Sequence, residues 1–377
     1  MSFYNLHPNK TINFQFNRLT GYGEIACRLE EVKEIAYRTS NFDAWFLEWT
    51  ALAIKAKREG RLLHAAYAYR MAEFFLPESS PDKRSAYQNF RECFYAAFPA
   101  GEIEIDSVPY EGHGMPVIRI KAKEEKGIIL VHGGYDSFME EFFVTIKDIA
   151  ARGYTIIMFD GPGQGFCLYD GLKMTPEWER PVRAVLDHYQ LDDVTLLGIS
   201  LGGFLAARAA AFDTRIKRLV CYDVCYNFFD AIVRWMPPTV LACFRLAFKL
   251  QWQSAVDGLM HYLMKKNMGI AWLVRHGMFI TGTRSPYEYY REISRYSIEE
   301  VAPRIRQHCL LLAGEADHYI PISHIDLCKK AFTNAASLRL RVFTKAEGGE
   351  QHCQLGNHHL AVEEILDWLA NLSKERQ

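Results

Sequence analysis

Val194-Thr195-Leu196-Leu197-Gly198-Ile199-Ser200-Leu201-Gly202-Gly203-Phe204-Leu205-Ala206-Ala207 joins a short apolar run to a run of strong helix formers. The first part, Val194 to Leu197, follows the polar Asp192-Asp193 and has the pattern of a buried strand. Between the two lies Gly-x-Ser-x-Gly. A serine on so tight a strand-to-helix turn is forced into strained backbone, and the residues two places either side must be nearly free of side chain. Gly198 and Gly202 meet that need. The hydroxyl of Ser200 is then expected to project at the sheet edge, beside the positive end of a helix.

A serine hydroxyl is a nucleophile at neutral pH only if a base takes its proton, and a neutral histidine held by a buried carboxylate is the usual base. With this turn, the partners follow in the order acid, then histidine. The best acid is Asp317, in Leu312-Ala313-Gly314-Glu315-Ala316-Asp317-His318, just past an apolar strand; Glu315 is its local rival. The histidine is expected in the loop Gly348-Gly349-Glu350-Gln351-His352-Cys353-Gln354, before the last helix. His358 and His359 compete, but they sit at a helix start, where surface or capping roles suit them. An oxyanion hole needs two backbone N–H groups aimed at one point. Leu201 supplies one. Gly134 or Tyr135, in Val131-His132-Gly133-Gly134-Tyr135-Asp136, supplies the other, because glycines let the backbone approach closely. His132 is expected to orient that loop.

Around these motifs the pattern alternates. Residues 128–131, 155–159, 194–197, 219–222, 309–312 and 338–343 read as strands with helices between them, which implies a mostly parallel sheet with helices on both faces. Residues 102–106 and 115–120 alternate with period two and form a hairpin across Glu111-Gly112. Before them, residues 1–100 read as a helical N-terminal region, with helices expected over 22–38, 44–57, 62–75 and about 80–98. Residues 226–306 contain no clear strand and many aromatics. They read as a helical lid inserted between two halves of the core, 101–225 and 307–377. Phe228, Phe229 and Trp272 are the lid aromatics expected to face substrate, together with Asp230, and for the aromatics packing inside the lid or at a homodimer interface is the alternative.

Composition excludes several classes. Among 377 residues, 49% are hydrophobic and 24% charged, and the net charge is −1. That is ordinary for a globular protein and offers no bulk charge for nucleic acid. Nine cysteines are scattered without paired spacing, which argues against a disulfide framework or zinc site and for a cytoplasmic location. The longest apolar stretch, residues 240–252, is broken by Arg245 and Lys249, so no membrane span is expected. No cofactor or metal is implied. In Gly161-Pro162-Gly163-Gln164-Gly165, Pro162 removes a donor that a phosphate loop would need.

Taken together, Gly-x-Ser-x-Gly, the His-Gly-Gly loop, Gly-x-x-Asp and the late histidine resemble the α/β-hydrolase superfamily from about residue 100 onward. His132 to Ser137 with Glu140-Glu141, Asp160 to Gly165 and His352-Cys353-Gln354 resemble one subgroup more narrowly. It contains 2,6-dihydroxypseudooxynicotine hydrolase, fermentation-respiration switch proteins and fungal polyketide-shortening hydrolases, and relatives are often labelled acylaminoacyl or dipeptidyl peptidases. The resemblance implies the α/β-hydrolase fold and a Ser200–His352–Asp317 triad. In the nicotine-pathway relative an extra acid beyond the nucleophile supports C–C cleavage; here that region offers Asp223 and Asp230, for which a cap or loop contact is the alternative. The expected function is a serine hydrolase cleaving an ester or amide bond of a small apolar, aromatic or short peptide-like substrate. A C–C hydrolase acting beside a ketone, and a non-catalytic regulatory or binding protein on the same fold, are the alternatives.

Overall fold

The computed structural model describes residues 3–374. Its centre is an eight-stranded sheet: β1 (Glu104–Tyr110), β2 (His113–Ile120), β3 (Gly127–His132), β4 (Tyr154–Phe159), β5 (Val194–Ile199), β6 (Ile216–Tyr222), β7 (His308–Gly314) and β8 (Ser337–Phe343). Their order is β1-β2-β4-β3-β5-β6-β7-β8. From β4 to β8 all neighbours are parallel; β1 and β2 are antiparallel additions at one edge. β4 and β5 are buried along their whole length, as expected where helices cover both faces.

Five helices precede the sheet: α1 (Lys10–Thr20), α2 (Leu29–Arg38), α3 (Phe42–Arg58), α4 (Leu62–Phe74) and α5 (Pro81–Ala96). Within the sheet region follow α6 (Met139–Ile146), α7 (Gly165–Tyr169), α8 (Glu179–His188) and α9 (Gly202–Phe212). The insertion is helical: α10 (Phe228–Val233), α11 (Pro238–Lys249), α12 (Gln253–Lys266), α13 (Met268–Thr281) and α14 (Pro286–Ile293). The chain ends with α15 (Ser323–Ala331) and α16 (His358–Lys374). Period two along the strands divides the core. Leu130, Leu196 and Leu311 pack with α8, α9 and the insertion, while Ile129, Val131, Leu197 and Leu312 pack with the N-terminal helices, α6 and α16.

Two differences from the sequence pattern matter. The helix expected from residue 22 begins at Leu29, after a single 3₁₀ turn over Gly23–Ile25. More important, α1 was not expected. Its apolar residues Ile12, Phe14 and Phe16 alternate with Asn13, Gln15 and Asn17, which masks the helical period. The Asn9 side chain caps it by accepting from Thr11 N–H and Ile12 N–H. The buried amides are satisfied: Asn13 Oδ1 accepts from Leu6 and His7 N–H, and Asn17 Oδ1 from Tyr4 N–H.

Candidate active site

Ser200 lies directly after β5 with φ of 63°, the left-handed region that costs a residue with a side chain of order 1 kcal/mol or more. The strain is held by neighbours. Its N–H donates to Tyr222 O at the end of β6 (2.6 Å), and its carbonyl accepts from Gly203 N–H (2.8 Å). The flanking glycines cannot be replaced without movement. A Cβ on Gly198 would stand 1.9 Å from Gly202 O, and one on Gly202 would stand 2.7 Å from Gly133 O.

Two loops bring the partners in. His352 Nε2 lies 2.9 Å from Ser200 Oγ. His352 Nδ1 lies 2.6 Å from Asp317 Oδ2. Asp317 follows β7, and its Oδ1 accepts from Tyr319 N–H (2.7 Å) and Ile320 N–H (2.9 Å), leaving Oδ2 for the imidazole. Glu315 points elsewhere, accepting from Lys345 N–H. His359 is exposed beside Glu363. His358 stacks on Tyr22 and lies against Cys353 O (3.0 Å) rather than at the surface. Ser200, His352 and Asp317 are thus brought together.

A second carboxylate shares the imidazole. Asp223, one residue past β6 and almost fully buried, places Oδ2 3.2 Å from His352 Nδ1. Burial alone would push the His352 pKa down, but Asp317 first, then the neighbouring Cys353 and Asp223, outweigh it and hold the pKa well above the usual imidazole value. Asp317 is raised, by burial first and by the neighbouring Asp223. Burial opposes ionisation of Asp223 too, yet its contacts with His352, Cys353 N–H and Gln354 keep its pKa low. Asp223, His352 and Cys353 present ligand-type atoms within 4.8 Å of one another, but the carboxylate and imidazole atoms among them are already engaged in this pairing.

The glycine loop after β3 abuts the serine turn. A Cβ on Gly134 would meet the backbone nitrogens of Leu201 and Gly202 at 2.6 Å. His132, driven neutral by burial with its pKa lowered to about 4, holds Nδ1 2.8 Å from Gly133 O. Gln164, fully buried, donates Nε2–H to Gly133 O and Gly134 O (2.8 and 3.0 Å) while its Oε1 accepts from Gly161 N–H. The Gly-Pro-Gly-Gln-Gly segment therefore braces this loop. The N-terminal helices brace it from the other side. Arg18 and Arg70 each donate to Asp136 O (3.3 Å), and Arg70 also reaches Asp136 Oδ1, Glu141 and Glu73.

Rings of the N-terminal helix α1 and of the loop after β7 line the histidine side. Phe14 lies 6.5 Å from the His352 ring and 5.1 Å from that of Tyr319, and Tyr319 lies 5.1 Å from His352. Gln15 Nε2–H donates to Tyr319 OH (3.4 Å). Of the lid residues singled out by sequence, Phe228 packs on Tyr135 of the glycine loop (5.1 Å). The other three have different partners. Phe229 packs on Phe244, Phe248 and Tyr290 inside the lid. Asp230 pairs with Arg245 (2.8 Å) at the surface. Trp272 stacks on Phe74 and His276, and its Nε1–H donates to Phe74 O, joining lid to N-terminal helices. Within the described residues these three side chains are engaged with the lid and the N-terminal helices. Phe14, Gln15, Tyr319 and Gln164 were not expected here; of these only Gln164 carries a signal in the sequence, as the one side-chain amide in a glycine-rich turn.

Residues 127–354 match the family model described as the alpha/beta hydrolase fold. The chain belongs to the α/β-hydrolase family. Curated relatives of this α/β-hydrolase include the hydrolase acrC of Aspergillus aculeatus, 26% identical, with 97% of each chain covered. The 20-hydroxy-prefusarin hydrolase FUS2 of Gibberella moniliformis is 27% identical, with 95% of each covered. Among solved structures, 2,6-dihydroxy-pseudo-oxynicotine hydrolase is 19% identical with a TM-score of 0.69 over 94% of each chain. The AbyA5 wild-type structure is 16% identical with a TM-score of 0.70, covering 96% of this α/β-hydrolase and 95% of that chain. These two likenesses extend through the N-terminal helices and the lid as well as the sheet. No helix among the described residues is long and apolar enough to cross a membrane.

Proposed function

We propose that this protein is a serine hydrolase that cleaves an ester or amide bond of a small apolar or aromatic substrate through an acyl-enzyme. The observation that carries the reading is the chain of contacts Ser200 Oγ–His352 Nε2 (2.9 Å) and His352 Nδ1–Asp317 Oδ2 (2.6 Å) on a strained serine turn. Ser200 Oγ bonds to the substrate carbonyl carbon while its proton passes to His352 Nε2. The carbonyl oxygen becomes an oxyanion, received by Leu201 N–H and an N–H of Gly134 or Tyr135. Collapse breaks the bond to the leaving group, which takes the proton from His352. Water repeats the sequence and frees the acid and Ser200. Phe14, Tyr319, Tyr135 and Phe228 supply rings close enough to this centre to hold an apolar group. The nine free cysteines suit a reducing compartment such as the cytoplasm.

Cleavage of a C–C bond beside a ketone is the second reading, favoured by the likeness in fold to 2,6-dihydroxy-pseudo-oxynicotine hydrolase. It needs a proton for the departing carbanion. Asp230 is paired with Arg245, and Asp223 faces the far nitrogen of His352, so neither favours that chemistry. A panel of p-nitrophenyl esters, acyl-amino acid amides and β-diketones separates the two. Turnover of esters or amides that disappears in Ser200→Ala supports the proposal. Turnover of β-diketones alone moves the bond class to C–C.

A further inference from the structure

Asp223 touches both the serine turn and the histidine loop. It follows Tyr222, whose carbonyl accepts from Ser200 N–H, and its own carbonyl sits where a side chain on Gly203 would stand, 2.2 Å from a Cβ there. Its carboxylate crosses to the histidine loop. Oδ2 accepts from Cys353 N–H (2.6 Å) and Oδ1 from Gln354 Nε2–H (3.0 Å). Cys353 and Gln354 both have positive φ (52° and 50°), so the turn that presents His352 is itself strained and needs external partners. The same Oδ2 stands 3.2 Å from His352 Nδ1, opposite Asp317 Oδ2 at 2.6 Å. Two buried carboxylates on one imidazole is more negative charge than a single acid would supply. It is tolerated because each also accepts two further hydrogen bonds: Cys353 N–H and Gln354 for Asp223, Tyr319 and Ile320 N–H for Asp317.

We infer that Asp223 is a second positioning carboxylate of the triad, which fixes the strained His352-Cys353-Gln354 turn and shares with Asp317 the stabilisation of the His352 imidazolium. This rests on Ser200 and His352 acting as nucleophile and base. Loss of Asp317 leaves the imidazole with a carboxylate partner, so the triad is not reduced to a dyad. Loss of Asp223 makes the imidazolium easier to deprotonate even though Asp317 remains. Nothing in the sequence motif predicts either outcome, since the contact spans 129 positions and comes from the strand beside the one that carries the nucleophile.

The test is the rate of Ser200 phosphonylation by a fluorophosphonate as a function of pH, which reads the ionisation of His352 in the free enzyme and requires no knowledge of the natural substrate. In the wild type the acid limb should have its midpoint above the ordinary imidazole value of about 6.5. Asp223→Asn should move that midpoint down by about one unit as well as lower the plateau. Asp317→Asn should lower the plateau but keep its midpoint above about 6.5, because Asp223 still faces the ring, and the double variant should fall below that value. A merely structural Asp223 would lower the plateau and leave the midpoint in place, which overturns the inference. If Asp223→Asn does not fold, as judged by circular dichroism, Asp317→Asn decides: a midpoint below about 6.5 overturns the inference, and one above sustains it. Absence of any labelling of the wild type would instead refute the serine-hydrolase reading itself, so the two failures are distinct.

Discussion

Gly134→Ala is a severe test of the oxyanion assignment. The added Cβ would stand 2.6 Å from Leu201 N, 2.6 Å from Gly202 N and 2.7 Å from Ile199 O. All three are backbone atoms at the end of a fully buried strand and the start of α9, so they cannot swing aside as a side-chain tip could. Normal carbon contacts begin near 3.4 Å, so the loop must retreat by about 0.8 Å. The retreat is opposed by Gln164 on one side and by Arg18 and Arg70 on the other. It separates the N–H groups of Gly134 and Tyr135 from that of Leu201. Losing one oxyanion donor costs about 10²–10³ in rate, about 2.7–4 kcal/mol, and a misplacement near 1 Å is of similar weight. The fluorophosphonate reaction also builds negative charge on oxygen, so its second-order rate constant should fall about 100-fold or more, with a lower melting temperature. A variant that reacts within threefold of wild type would show that the two loops do not jointly bind the oxyanion.

His352→Ala should reduce phosphonylation and hydrolysis by at least about 10³-fold, whereas His359→Ala, exposed at the start of α16, should leave both near wild type; equal effects would displace His352 as base. Trp272→Ala should destabilise by about 2–4 kcal/mol in urea melts, because its ring bridges Phe74 and His276, and leave the ranking of acyl substrates unchanged; an altered ranking would restore it as a pocket residue. Phe14→Ala, by contrast, should change the preference between small and aromatic acyl groups by about 1–3 kcal/mol in relative kcat/KM. The lid carries a pH signature. Burial alone would lower the His276 pKa, but Asp136 at 3.0 Å and Glu78 at 3.7 Å raise it above the usual value, against the opposing Lys83. Because the folded pKa is raised, the stabilisation is fully present below the unfolded value and disappears as pH rises through the folded one. The melting-temperature advantage of wild type over His276→Asn should therefore be larger at pH 6 than at pH 9; a gap that grows with pH refutes the pairing.

The sheet was legible because its central strands are continuous apolar runs set between polar turns, as in Val194–Ile199 and His308–Gly314, while its edge strands alternate with period two. Ser200 and Asp317 stood out because each closely follows an apolar strand, and His352 because it lies in the loop between the last strand and the last helix; the structure brings the three side chains together. What escaped depends on contacts distant in sequence. The amphipathic period of α1 is broken by amides that are buried and satisfied only in the folded chain, so Phe14 and Gln15 gave no signal of reaching the site. Nothing in the sequence signals that Arg18 and Arg70 pair with Glu73, Asp136 and Glu141, because these contacts form only when the N-terminal helices meet the glycine loop. Asp223 looked like a cap, and its carboxylate does cap Cys353; its position against His352 Nδ1 arises only when the last loop folds back over β6. The sequence could not tell which way Trp272 faces, because an aromatic on a lid helix is equally at home in packing, and here Phe74 and Phe75 lie beneath it.

The most direct measurement is the intact mass of the protein after treatment with a fluorophosphonate at mildly alkaline pH, followed by peptide mapping. One adduct per chain is expected, located on Ser200, and none in Ser200→Ala of equal melting temperature. An unlabelled wild type, or a Ser200→Ala variant that takes up the same adduct at the same rate, would contradict it.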